Sequence, residues 1–274
     1  LGLLIPPSII LIIYGVTIED SIAKLFMAGI LPGIMLAIIF MLYVVVWSIL
    51  NKDQMPKISE EFSFIEKIKR SKQLLPVVLL ISAVIGSIYT GIATATEAAS
   101  LGVVGALILS LFQGTLNKDS FRLSLLGATK TSCMIAFILA GGAFLTMSMG
   151  FTGLPRSIAE WISSLGLSNL ELLLCLMVFY IVLGCFLDGI SSIVLTMAVI
   201  EPMIRNAGID VIWFGIYLTV LVEMAQITPP VGFNLFVLQG MTKHEMLFLA
   251  KSALPMFLMM VVMVFIMIVL QAWK

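Results

Sequence analysis

Two proline pairs constrain this chain more than any other feature. Pro6-Pro7 is followed by Leu31-Pro32 and Pro229-Pro230 by Leu254-Pro255, with one offset throughout: 229 − 6 = 223 and 255 − 32 = 223. Each copy runs through the same kinds of segment: an apolar arm, a short amphipathic stretch (17 to 28, and 241 to 252), then a proline at the head of a long apolar run. A proline pair removes two backbone donors and drives the preceding residue out of the helical region, so carbonyls upstream lose their partners. Proline suits the first turn of a helix, and Pro32 and Pro255 are therefore expected to open helices. The alternative is two ordinary kinks whose spacing coincides by accident.

The surroundings make such breaks consequential. The chain is 61% hydrophobic and 11% charged, against roughly 45 to 50% apolar and 25% charged in soluble domains. Apolar runs of the roughly 20 residues that cross a hydrocarbon core recur along its length. The fold class is all-α, a polytopic membrane protein, and carbonyls freed inside it need a partner.

Other classes fall away on the same reading. Net charge is zero and the basic residues lie mostly in loops, so there is no nucleic-acid face. Cys133, Cys175 and Cys185 sit in apolar stretches without CxxC spacing and read as packing residues. The single histidine, His244, excludes HExxH and multi-histidine metal sites. Leu1 stands in an apolar run without a charged leader, which reads as a piece of something longer.

The expected organisation has five parts: 1–28, the second part of a broken helix and an amphipathic segment; 29–50, a membrane helix ending the first repeat; 51–73, a charged cytoplasmic loop; 74–166, scaffold helices and interfacial arms; and 167–274, a hairpin, a broken helix and a last membrane helix. Within the fourth part, 118 to 131 carries Lys118, Asp119, Arg122 and Lys130 among leucines, as an interfacial helix does, ahead of a Gly-rich span at 133 to 150. The run 168 to 203 is interrupted at Asp188-Gly189-Ile190-Ser191-Ser192 and reads as a re-entrant hairpin. If the broken segments cross and the hairpin returns, one face receives the loops 51 to 73, 113 to 132 and 241 to 252, with eleven of the fifteen basic residues. That face is then cytoplasmic and the C-terminus periplasmic. Five crossings separate the copies on this count, an odd number, so the repeat is inverted. Inverted repeats with discontinuous helices are the architecture of secondary transporters, where freed carbonyls hold Na⁺ or H⁺ and half-helix N-termini face an anion.

Several polar residues stand in apolar stretches. Asp188 carries a charge where charge is costly, followed by the hydroxyls of Ser191, Ser192 and Thr196, oxygen ligands of the kind a small cation takes. A helix cap is the plainer role for Asp188, and one residue can fill both. Glu97, in Thr94-Ala95-Thr96-Glu97, has capping-box spacing. Glu223 precedes the second break and faces either the bundle or the ion site. Gly232 permits close backbone approach and Asn234 offers an amide, both suited to a cation or carboxylate site. The Met-rich run 255 to 267 reads as lipid-facing or packing surface.

Gly2-Leu3-Leu4-Ile5-Pro6-Pro7-Ser8, Thr94-Ala95-Thr96-Glu97-Ala98-Ala99, Gly184 to Gly189, and Ile227-Thr228-Pro229-Pro230-Val231-Gly232-Phe233-Asn234-Leu235 together resemble the large membrane subunit of the tripartite ATP-independent periplasmic (TRAP) transporters, along the whole chain. The resemblance implies an elevator-type, Na⁺-coupled importer of organic acids such as a C4-dicarboxylate or sialic acid in the bacterial inner membrane. It implies as partners a small membrane (Q-type) subunit and a periplasmic substrate-binding protein, with 168–203 as a hairpin whose tip faces a break. It also implies a further N-terminal portion with a first hairpin, without which this chain is not expected to transport. On this reading Na⁺ as coupling ion is held by Gly184, Asp188, Ser191, Ser192, Thr228 and Pro229, and the substrate by Pro6, Pro7, Ser8, Gly232 and Asn234; no other cofactor is expected. The rivals are an elevator anion symporter needing no binding protein, and an intramembrane aspartyl enzyme using Asp188 and Glu223, which lacks a GxGD-like motif and leaves the repeat unexplained.

Overall fold

The computed structural model describes residues 1–52, 66, 71–230 and 232–272, and these form helices and connecting turns. The α-helices are α1 (Ile9–Thr17), α2 (Ile22–Leu50), α3 (Leu75–Tyr89), α4 (Ala95–Phe112), α5 (Lys118–Thr152), α6 (Leu154–Ser164), α7 (Asn169–Gly184), α8 (Gly189–Asn206), α9 (Val211–Ala225), α10 (Phe233–Thr242) and α11 (Met246–Ala272). Four of them, α2, α4, α5 and α11, are long and apolar enough to cross a membrane, and α3, α7 and α9 are shorter apolar helices. The chain is all-helical and polytopic. Most of the expected loop 51–73, including Lys57, Lys67, Lys69 and Arg70, lies outside the described residues, as do Val231 and Lys274.

The repeat is present in the backbone. Both proline pairs are cis, α1 and α10 are short helices directly after them, and a long helix follows each. The linkers match as well: among the described residues, Glu19 and Lys243 are the two non-glycine residues with positive φ, at 54° and 58°.

Three boundaries differ from those expected. Pro32 and Pro255 lie inside α2 and α11 rather than at their starts. The true start of α2 is Ser21, whose hydroxyl accepts from the Lys24 N–H at 3.4 Å and whose carbonyl accepts from Leu25 at 3.1 Å. The residues between, such as Leu25, Met27, Ala28 and Leu31, are good helix formers that carry the helix through the proline, and membrane helices tolerate the lost bond. The boundary expected at 28/29 accordingly falls within α2. The interfacial segment 118–131 and the span 133–150 are likewise one helix, α5. Asn117 opens it, its side-chain oxygen accepting from Asp119 and Ser120, and Gly153, at φ +69°, follows its end. Nothing between them breaks a helix, since Gly127 costs only about 1 kcal/mol.

The chain divides into two compact units, 1–40 with 133–274, and 41–132. In the smaller unit α3 packs on α4, which begins at the Thr94/Glu97 capping box; both reciprocal bonds are made. In the larger unit α9 is the centre, packed by α1, α7, α8 and α11. Every residue from Phe214 to Ala225 is buried, as a helix apolar on all sides requires. Tyrosines lock it: Tyr14 donates to the Val211 carbonyl at 2.7 Å and Tyr217 to that of Leu173 at 2.6 Å.

Candidate functional site

Helices α7 and α8 form an antiparallel hairpin. The Tyr180 and Thr196 hydroxyls meet at 2.6 Å, eight residues to either side of Asp188, which places the tip there. A capping box at Ser168 and Glu171 opens the first arm, a signal the sequence reading passed over. Asp188 caps the second, its Oδ2 accepting from the N–H groups of Ile190 at 3.0 Å and Ser191 at 3.3 Å, while the Ser191 hydroxyl donates to Oδ1. The capping role of Asp188 is therefore filled.

Two glycines bring this tip onto the end of α9. A Cβ on Gly184 would stand 2.4 Å from that of Ala225, and one on Gly189 would stand 2.5 Å from Val222 and 2.8 Å from the Gln226 amide nitrogen. The tip thus touches the last turn before Thr228-Pro229-Pro230. Ser192, one helical turn beyond Gly189, is 1% exposed, and its hydroxyl is the one buried side-chain oxygen or nitrogen without a partner among the described residues.

At the second break the expected orphan carbonyls are largely consumed. Prolines 229 and 230 cannot serve the carbonyls four residues back, Ala225 and Gln226. Those oxygens instead accept from the N–H groups of Thr228 at 3.0 Å and Asn234 at 3.1 Å. Met224 is served by the Ile227 N–H at 3.2 Å and the Thr228 hydroxyl at 2.8 Å. Gly232 allows this, with φ +44° and a Cα so placed that a Cβ would lie 2.9 Å from the Thr228 oxygen. Pro229 and Asn234 are exposed, and Thr228 is half-buried.

The first break follows the same rule. Pro7 deprives the Leu3 carbonyl, and the Ser8 hydroxyl donates to it instead. That hydroxyl also caps α1 by accepting from the Leu11 N–H at 3.3 Å. Ser8 is 1% exposed, so its side chain is engaged in the fold rather than presented to a cavity. The two breaks meet through Glu223, for which the sequence leaves two roles open: buried on α9, it accepts at Oε1 from the main-chain N–H of Leu3 at 3.2 Å. None of these residues lines the cavity of about 510 Å³ bounded by Gly150, Gly153, Pro155, Arg156, Ala159, Glu160, Pro202 and Asn206.

Comparison with known proteins identifies the family. The family model described as the DctM component of the tripartite ATP-independent periplasmic transporter matches residues 1–273. The chain belongs to the DctM family. Among DctM-family relatives it is 34% identical, over 98% of its length, to the C4-dicarboxylate TRAP transporter large permease protein DctM of Pseudomonas aeruginosa. It is 30% identical, over 97% of its length, to the isethionate TRAP transporter permease protein DctMQ of Oleidesulfovibrio alaskensis, covering 42% of that protein. It is 30% identical, over 95% of its length, to the ectoine TRAP transporter large permease protein TeaC of Halomonas elongata, covering 61% of that protein. The chain spans 62% of the length of the Pseudomonas relative. These DctM-family relatives are named as permeases, not as enzymes, and their named substrates differ.

Proposed function

We propose that the protein to which this chain belongs is the large permease of a Na⁺-coupled, binding-protein-dependent secondary transporter that imports a small organic acid across the bacterial inner membrane. The observation that carries the reading is the Ser192 hydroxyl. It is buried and unpartnered, one helical turn beyond Gly189, the glycine that meets the end of α9, and a buried hydroxyl without a partner costs free energy that a bound cation recovers. The oxygens of Asp188, Ser191 and Thr228 near the tip and break are of the hard kind that Na⁺ takes. Because the Met224, Ala225 and Gln226 carbonyls are already taken, the break's contribution falls to Thr228 and Pro229.

The substrate lies between the two breaks, near Gly232 and Asn234. The hairpin and the breaks form the moving body of an inverted-repeat elevator, assisted by a small membrane subunit and a periplasmic binding protein. A C4-dicarboxylate is the favoured cargo, as named for the Pseudomonas relative. Uptake by vesicles holding the complete complex is expected to collapse when Na⁺ is replaced by K⁺; undiminished uptake refutes the coupling.

A further inference from the structure

We propose that Glu223 is a positioning residue that ties the two proline breaks into one rigid unit without touching substrate. The proposal rests on the reading above only for the identity of the substrate. Glu223 stands less than two turns before Pro229, on the helix that ends at the second break, and is 7% exposed. Its Oε1 accepts the Leu3 N–H, while the carbonyl of the same residue, Leu3, accepts the Ser8 hydroxyl, and Ser8 in turn caps α1. One continuous path of hydrogen bonds therefore runs from α9, through the segment leading into Pro6-Pro7, to the first turn of α1. It joins residues 220 positions apart in sequence, one in each copy of the repeat.

The chemistry suits a tie. A main-chain N–H held by a buried side-chain oxygen is costly to leave without that acceptor. Its donor, the Leu3 N–H, is a main-chain group, so the bond fixes backbone position rather than a side-chain rotamer. The Leu4 carbonyl, next along, is pressed against α2, where a Cβ on Gly29 would lie 3.0 Å away. The segment 1–8 is thus held from two sides, and loss of the Glu223 side frees one.

Hydrogen exchange on the complete complex in detergent tests this without a known substrate and without reference to Na⁺ coupling, so its failure is distinct from failure of the uptake experiment. Glu223→Ala is expected to speed exchange of the amides of residues 1–11 about tenfold, with α7 and α8 unchanged, and Glu223→Gln, which keeps the acceptor, to stay within about threefold of the wild type. Wild-type exchange in Glu223→Ala, equal acceleration in α7 and α8, or a Gln variant as fast as the Ala variant overturns the proposal. Should Glu223→Ala fail to accumulate, Ser8→Ala, which cuts the next link, must loosen the same amides while Glu223→Gln does not; unchanged amides in Ser8→Ala overturn it.

Discussion

Gly184 lies so close to Ala225 that a methyl group on the glycine would approach the alanine Cβ to 2.4 Å. Only the Ala225 methyl separates the backbone of the hairpin tip from that of the broken helix there. Gly184→Val is therefore expected to push the tip off α9, lowering stability by about 1 to 3 kcal/mol, the usual cost of overpacking. Thermal unfolding of the purified complex measures it; an unchanged Tm means the two helices are not in register at this point.

Ser192→Ala separates a structural hydroxyl from a ligand. Removing an unpartnered buried hydroxyl relieves its desolvation cost, so without sodium the variant is expected to be as stable as the wild type or more so. With sodium it is expected to need about tenfold more ion for half-maximal stabilisation, the factor that accompanies ~1.4 kcal/mol of lost contact. A sodium titration followed by Tm reads both effects, and an unaltered titration removes Ser192 from the site.

Gly232→Ala places a side chain where φ is +44° and the Thr228 oxygen is 2.9 Å from the new Cβ. The cost is at least about 1 kcal/mol, and the turn that satisfies the Gln226 carbonyl is displaced with it. Uptake by the reconstituted complex is expected to fall well below that of the wild type at equal protein; full uptake shows that the turn has room to adjust.

Tyr217→Phe removes the hydroxyl that donates to the Leu173 carbonyl in the larger unit. About 1 to 2 kcal/mol of stability is expected to be lost, with no change in the sodium requirement. A shift in sodium affinity instead would show that the α7 to α9 contact is coupled to the ion site.

The parts legible in the sequence were those set by local chemistry. The proline pairs with their common offset, the Thr94/Glu97 box and the cap at Asp188 are short-range signals, and each appears as a backbone feature. Helix ends at Pro32 and Pro255 were misplaced because proline is permitted in a first turn but does not require one, and Ser21 supplied the competing start. The carbonyls freed by the prolines were legible, but their new donors were not. The N–H of Asn234 reaches back across the break, and that depends on the positive φ of Gly232, which its type allows but does not announce. The partner of Glu223, 220 residues away, left no trace in spacing at all.

Helix α9 has fifteen residues, about 22 Å at 1.5 Å per residue, too short alone for a hydrocarbon core of about 30 Å. It also shows no lipid-facing residue from Phe214 onward. A segment of this kind enters the bilayer as a hydrophobic sequence but finishes as a protein interior, exchanging lipid for neighbours. Those neighbours come from both sides of it in the chain: α1, α7 and α8 are synthesised before it and α11 after it. The central helix cannot be fully enclosed while the ribosome is still working through it, because α11 reaches it only afterwards.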